Sequence, residues 1–262
     1  MKWPIWMRIP ILVLALMAVG CGSQTDGSPE AENRPQPPEG VIVAMGDSLT
    51  EGLGVPEADS YPSVLQQMLE ERGVHWRVIN AGISGETSSG ARSRLDWVMK
   101  LKPDIVILET GANDALRGLP PENIFENIDA IVTELKARGV TVVLAGMKIH
   151  PNFGPEYGRN FADIYERVAH EHDIIRMPFF LEGVAGRSEL NRADGLHPNA
   201  AGYREVARQV LPYVLDAIER HRSQGASDAG KITPDSLGRM DPAEIHRPPA
   251  CHIAGRTGER LP

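Results

Sequence analysis

Cysteine is scarce: the 262 residues contain two, Cys21 and Cys251. Two are too few for a disulfide framework and argue against a structural zinc site. Aromatic residues make up only 5% of the chain, so a core has to be built mainly from Leu, Ile, Val and Ala. Basic charge is outweighed, with Asp+Glu 35 against Lys+Arg 27 and a net charge of −8. A nucleic-acid partner, which calls for a basic footprint, is excluded on that ground. Also missing is an apolar run long enough to span a bilayer, about 20 residues. The stretch Ile9 to Gly20 is nearly uninterrupted but stops well short of that. What remains, 42% hydrophobic and 24% charged, is ordinary globular composition.

The chain divides into four parts. Lys2 and Arg8 precede the short apolar run, and Ala18-Val19-Gly20-Cys21 closes it. A basic start, a short apolar stretch and small residues at a cut site describe a secretory signal over residues 1–21. The closing residues resemble a bacterial lipobox, with Cys21 as the lipidated new N-terminus, although Ala18 stands where Leu is usual. Ordinary cleavage after Gly20, leaving a free Cys21, is the second reading, and a plain transmembrane anchor the third. Residues 22–40 hold four Pro, three Gly and no large apolar residue and read as an extended tether. Residues 223–262 hold ten Pro plus Gly and no aromatic, and read as a disordered tail in which Cys251 has no assigned role. Between them, residues 41–222 carry a net charge of −7, which argues against attraction to an anionic membrane surface. Lipid at Cys21, rather than charge, would have to hold the protein at a membrane. The expected location is the bacterial cell envelope, or secretion if Cys21 is not lipidated.

Within residues 41–222 strand and helix signals alternate. Short apolar runs at Val41–Met45, Trp76–Asn80, Ile105–Leu108, Thr141–Ala145 and Ile174–Met177 predict five strands. Helical spacing predicts a helix after Ser60, its expected N-cap, running to Gly73. Further helices are predicted over Ser88–Lys100, from Ile124 to Gly139, around Phe161–Val168, and from Tyr203 to Ile218 with a kink at Pro212. Alternation of this kind predicts an α/β domain with a mostly parallel sheet covered on both faces. About 180 residues suffice for one such domain.

In an open parallel sheet, ligands bind beyond the carboxyl ends of the strands, so the loops there carry the information. They read Gly46-Asp47-Ser48-Leu49-Thr50, Ala81-Gly82-Ile83-Ser84-Gly85-Glu86-Thr87, Thr110-Gly111-Ala112-Asn113-Asp114 and, ahead of the last helix, Asp194-Gly195-Leu196-His197-Pro198-Asn199. Each supplies something acyl transfer needs. Ser48 is a nucleophile once a base removes its proton. His197 is such a base. Asp194, three residues earlier on a turn, can orient the other ring nitrogen. Gly85 can bring a backbone N–H close, and Asn113 can offer a side-chain amide, to a developing oxyanion. Taken singly, each block also has a plain reading as a turn or helix cap; four in order, each beyond a strand or ahead of the last helix, do not.

These blocks resemble the SGNH hydrolases, the GDSL esterase/lipase family, with Ser48, Gly85, Asn113 and His197 on the four letters in order. NAGISGETS, GANDALRG, NFGPEY, PFFLEGV and DGLHPN are similar more narrowly to the bacterial thioesterase I, lysophospholipase and arylesterase subgroup. The resemblance spans roughly Val41 to Leu215. It implies a flavodoxin-like three-layer α/β/α sandwich with five parallel strands. It also implies a catalytic set of Ser48, Asp194 and His197, with the oxyanion held by the N–H groups of Ser48 and Gly85 and by Asn113. No metal and no cofactor are implied. The substrate would be a small acyl ester, a thioester or a lysolipid, and the protein a monomer. Residues Ala115, Leu116, Arg117 and Gly118, within the stretch to Pro120, resemble a substrate-gating loop; a plain connection is the alternative. The sequence departs from the subgroup at Ala112, where Gly is usual, and over Lys148–Gly154, and both changes bear on the acyl pocket.

Smaller assignments complete the reading. Asp47 is expected to hold its loop by hydrogen bonds rather than to do chemistry, Ser84 and Thr87 to cap a helix, and His150 to sit on an exposed loop. The function expected is a serine esterase working through an acyl-enzyme. A carbohydrate O-deacetylase and a non-catalytic lipid-binding lipoprotein are the alternatives.

Overall fold

The computed structural model describes residues 37–231. The expected signal, Cys21, most of the tether and Cys251 lie outside the described residues. Five strands are observed: β1 (Gly40–Gly46), β2 (Trp76–Gly82), β3 (Ile105–Glu109), β4 (Thr141–Ala145) and β5 (Ile175–Met177). They form one sheet in the order β2-β1-β3-β4-β5, every neighbouring pair parallel. That is the doubly wound, flavodoxin-like order, whose direction of winding reverses between β1 and β3. Strands β3 and β4 are buried at all five positions, as parallel strands covered on both faces must be.

The helices are α1 (Ser48–Glu51), α2 (Tyr61–Glu70), α3 (Ser88–Ser93), α4 (Leu95–Lys100), α5 (Ala112–Leu116), α6 (Pro121–Ala137), α7 (Pro155–His172) and α8 (Ala200–Lys231). Helices α2 and α8 pack on each other and on the sheet, and α6 packs on α7 and α3, which gives the two outer layers of the sandwich. Aliphatic burial carries the core: Ile105, Val106, Ile107, Leu108, Ile124, Ile128, Ile131 and Leu135 are all fully inaccessible, at about 1.5–3 kcal/mol of transfer free energy each. Two of the few aromatics, Tyr165 and Tyr203, bond to the loops of the site. Tyr61 meets Phe180 edge to face at 5.2 Å. The Tyr165 hydroxyl donates to Thr110 O (2.8 Å) and that of Tyr203 to Ser48 O (3.4 Å).

Several local expectations are revised. The helix expected over Ser88–Lys100 breaks at Arg94, whose backbone sits at φ −103, ψ 11 while its guanidinium reaches Glu86 and Gly46 O. Ser60 occupies the N-cap position of α2 without capping; its hydroxyl donates to Glu57 O (2.7 Å) and lies 3.1 Å from Ser63 Oγ. Thr87 does cap α3, accepting from Gly90 N–H, whereas Ser84 turns to Glu51. Helix α8 runs through Pro212 and continues to Lys231, nine residues past the expected tail boundary at Arg222. Among the described residues no helix is long and apolar enough to cross a membrane.

Candidate active site

The four blocks meet at the carboxyl end of the sheet, beside the point where the winding reverses. Strand β1 ends at Gly46, where a Cβ would lie 2.1 Å from Thr50 Oγ1 and 2.5 Å from Glu109 Oε2, so no side chain fits. Asp47 follows, and its Oδ1 accepts from Leu49 N–H (2.9 Å), which starts α1 with Ser48 as its first residue. Ser48, 8% exposed as a residue, therefore stands at the head of this turn.

His197 reaches it from the loop ahead of α8. His197 Nε2 lies 2.9 Å from Ser48 Oγ, and its Nδ1 lies 3.1 Å from Asp194 Oδ2. The turn carrying this pair is closed by Arg192 N–H to His197 O and Gly195 N–H to Arg192 O. Asp194 Oδ1 accepts from the N–H groups of both Leu196 and His197 at 2.9 Å. Those two backbone donors, and then the imidazole, hold the Asp194 carboxyl down at about 2, so it stays ionised across the physiological range. Arg192 lies 3.7 Å from the same carboxylate, an exposed pair of little energetic weight.

The loop after β2 is held by charge. Ile83 N–H donates to Gly46 O (2.9 Å), Ser84 N–H to Glu51 (2.9 Å), and Glu86 pairs with Arg94 at 2.6 Å with both side chains largely buried. Gly85 O accepts from Arg117 (2.9 Å). The need for glycine at 85 is conformational rather than spatial. A Cβ there would meet nothing nearer than Arg117 Nη2 at 4.0 Å, but φ is +76, which L side chains avoid. Asn113 Nδ2 donates to Asp47 Oδ2 (2.8 Å), which leaves the second amide hydrogen for another acceptor. Asp47 thus caps α1 and orients Asn113, a structural role as expected.

Ser48, Gly85, Asn113 and His197 line one cavity of about 350 Å³, within the size range of small-molecule sites. Its walls are apolar: Leu49, Met147 and Leu181 are buried, while Leu53, Leu116 and Leu196 stand exposed at the rim. Ala112 and the exposed His150 line it too. The four residues expected to form a gating loop are placed differently from one another. Ala115 is fully buried in α5, Leu116 reaches the cavity, Arg117 binds Gly85 O, and Gly118 takes a positive-φ turn. Among the described residues no group of three or more His, Cys, Asp or Glu is arranged to hold a metal.

Two groups were not picked out from the sequence. Asp114 accepts from Ser88 N–H and Ser88 Oγ, both at 2.7 Å, tying the loop after β3 to the start of α3. Glu109 ends β3 with no exposure and accepts from Asp47 N–H and Thr50 Oγ1. Its signal was available: one charged residue closing an otherwise unbroken apolar strand.

Comparison with known proteins agrees with this geometry. Residues 44–205 match the GDSL-like Lipase/Acylhydrolase family. The chain is 40% identical over 181 residues to an arylesterase of Vibrio mimicus, covering 69% of this chain and 88% of that protein. It is 31% identical over 177 residues to thioesterase 1/protease 1/lysophospholipase L1 of Escherichia coli strain K12, covering 67% and 80%. Among solved structures, the crystal structure of TesA superposes with a TM-score of 0.66 at 35% identity, covering 68% of this chain and 99% of that one.

Proposed function

This chain belongs to the GDSL-like lipase/acylhydrolase family, and we propose that it hydrolyses carboxylic esters or thioesters through a covalent acyl-enzyme on Ser48. The observation that carries the reading is the hydrogen-bonded line Ser48 Oγ–His197 Nε2–His197 Nδ1–Asp194 Oδ2, at 2.9 and 3.1 Å, opening into an apolar cavity. Ser48 Oγ attacks the substrate carbonyl while His197 Nε2 takes its proton. Negative charge then develops on the carbonyl oxygen, and the N–H groups of Ser48 and Gly85 and the free hydrogen of Asn113 Nδ2 receive it. As the tetrahedral intermediate collapses, the alcohol or thiol leaves with the proton from His197. Water then attacks the acyl carbon as His197 takes its proton, and His197 returns that proton to Ser48 Oγ as the acid leaves. Asp194 keeps the imidazole proton on Nδ1, so that Nε2 is free to accept.

The leucine-lined cavity suits an aliphatic acyl group, and lysolipids or small esters are the substrates this reading favours. An envelope location with lipid on Cys21 belongs to the same proposal. Ser48→Ala is expected to abolish hydrolysis of short- and medium-chain p-nitrophenyl esters and labelling by a fluorophosphonate probe. A variant that keeps a near wild-type rate would refute the assignment.

A further inference from the structure

Strand β3 reads Ile-Val-Ile-Leu and then Glu109, and the glutamate is as inaccessible as the four residues before it. A buried carboxylate needs a cation or several donors. Glu109 has two donors, Asp47 N–H at 3.1 Å and Thr50 Oγ1 at 3.0 Å, both on Oε2, and its Oε1 is buried without a partner. The charged group that bears on it most is a second carboxyl, that of Asp47, which is itself 2% exposed. The other titratable groups around the pair bring no free cation. Tyr61 of α2, Tyr165 of α7 and Tyr203 of α8 are held neutral by burial. Arg94 reaches Gly46 O but is paired with Glu86. Asp114 is tied to Ser88, Arg192 lies against Asp194, and His197 bears on Asp47 from the far side of Ser48.

We propose that Glu109 is a positioning residue that remains protonated at neutral pH, its unpartnered oxygen beside an Asp47 carboxylate whose two oxygens are both satisfied, so that the pair carries one negative charge and that charge orients Asn113. This rests on the reading of Asn113 as an oxyanion donor. The two donors on Glu109 flank Ser48 in the chain, and the Asp47 oxygens are taken by Leu49 N–H at 2.9 Å and Asn113 Nδ2 at 2.8 Å. Burial, and then the Asp47 charge, push Glu109 well above the ordinary carboxylate range. Burial raises Asp47 too, but Leu49 N–H, Glu109 and Asn113 work against it. The proton therefore stays on Glu109 and the charge on Asp47. Ionising Glu109 would set two carboxylates side by side in a low-dielectric interior. Asp47 would then have to shift, and Asn113 would lose its acceptor.

The test joins infrared spectroscopy with steady-state kinetics on the folded protein. Wild type is expected to show a protonated-carboxyl C=O stretch at neutral pH, which vanishes on the alkaline side together with kcat, KM changing less. Glu109→Gln keeps an acceptor for Asp47 N–H and Thr50, with no proton to lose. It is expected to lack the band and the alkaline fall. Glu109→Leu is expected to lose at least about tenfold in kcat, with Gln restoring most of it. Absence of the band from wild type at neutral pH overturns the proposal, as does a Gln variant with the wild-type alkaline fall. If either variant fails to fold, the wild-type band and its coincidence with kcat decide alone. The band needs no turnover, so its absence with Ser48→Ala inactive rejects only the Glu109 assignment, whereas an active Ser48→Ala rejects the esterase mechanism.

Discussion

Replacing Asp194 separates two jobs that its carboxylate does at once. Oδ1 holds the turn through the N–H groups of Leu196 and His197, both at 2.9 Å. Oδ2 receives the Nδ1 proton of His197 at 3.1 Å. Asparagine can keep its carbonyl oxygen on the two backbone donors, but its amide then faces Nδ1 as a donor. The neutral ring answers by placing its proton on Nε2, where it points at Ser48 Oγ and blocks proton transfer. Enforcing the wrong tautomer costs on the order of 10⁴ in kcat in a serine protease triad. Alanine imposes no tautomer; it only removes the preference, and with the Asp194 side chain 38% exposed, water can replace the missing oxygen. We therefore expect Asp194→Asn to be the slower variant, by about tenfold relative to Asp194→Ala, with a KM near wild type for both. Thermal unfolding should rank them the other way, because only Asn keeps the turn. The assay is p-nitrophenyl butyrate hydrolysis across pH. In wild type the carboxyl sits at about 2, below its unfolded value. Its contribution to stability is therefore present above that unfolded value and lost as pH falls toward 2. Loss of rate at mildly acid pH would therefore belong to a group other than Asp194. An Asn variant equal to or faster than the Ala variant would refute the tautomer argument.

Two further outcomes follow from the same geometry. Asn113→Ala removes one oxyanion donor and frees Asp47 Oδ2, and should lower kcat by about 10²–10³ with little change in KM; unchanged kcat in steady-state assays would remove Asn113 from the site. Cys21→Ser should move the protein from the membrane fraction to the soluble fraction of fractionated cells, and retention in the membrane would count against lipid at that residue.

What was legible in the sequence and what was not divide along a physical line. Signals confined to a few consecutive residues survived: the apolar runs of β3 and β4, the helical spacing within α2, α6 and α7, and the four loop blocks that converge on one cavity. Each depends on periodicity or on a turn, and neither needs knowledge of the rest of the chain. The misreadings are places where a distant partner overrides the local preference. Arg94 interrupts a good helical pattern because its guanidinium is committed to Glu86 and to the end of β1. Ser84, a natural cap, bonds instead to Glu51, thirty-three residues away. Gly85 adds a constraint of another kind, a positive φ in otherwise open space, that its loop sequence alone does not display. Glu109 is the instructive case. Its neighbours in sequence announce a buried strand, and a charge at the end of such a strand has to be neutralised or paired. The sequence could therefore have flagged the residue, but not its partner, because Asp47 lies sixty-two residues earlier and meets it only when β3 pairs with β1. The groups read here as reacting with substrate sit in blocks that the sequence displays. The groups that aim them are joined by bonds between blocks, and those exist only once the sheet has formed.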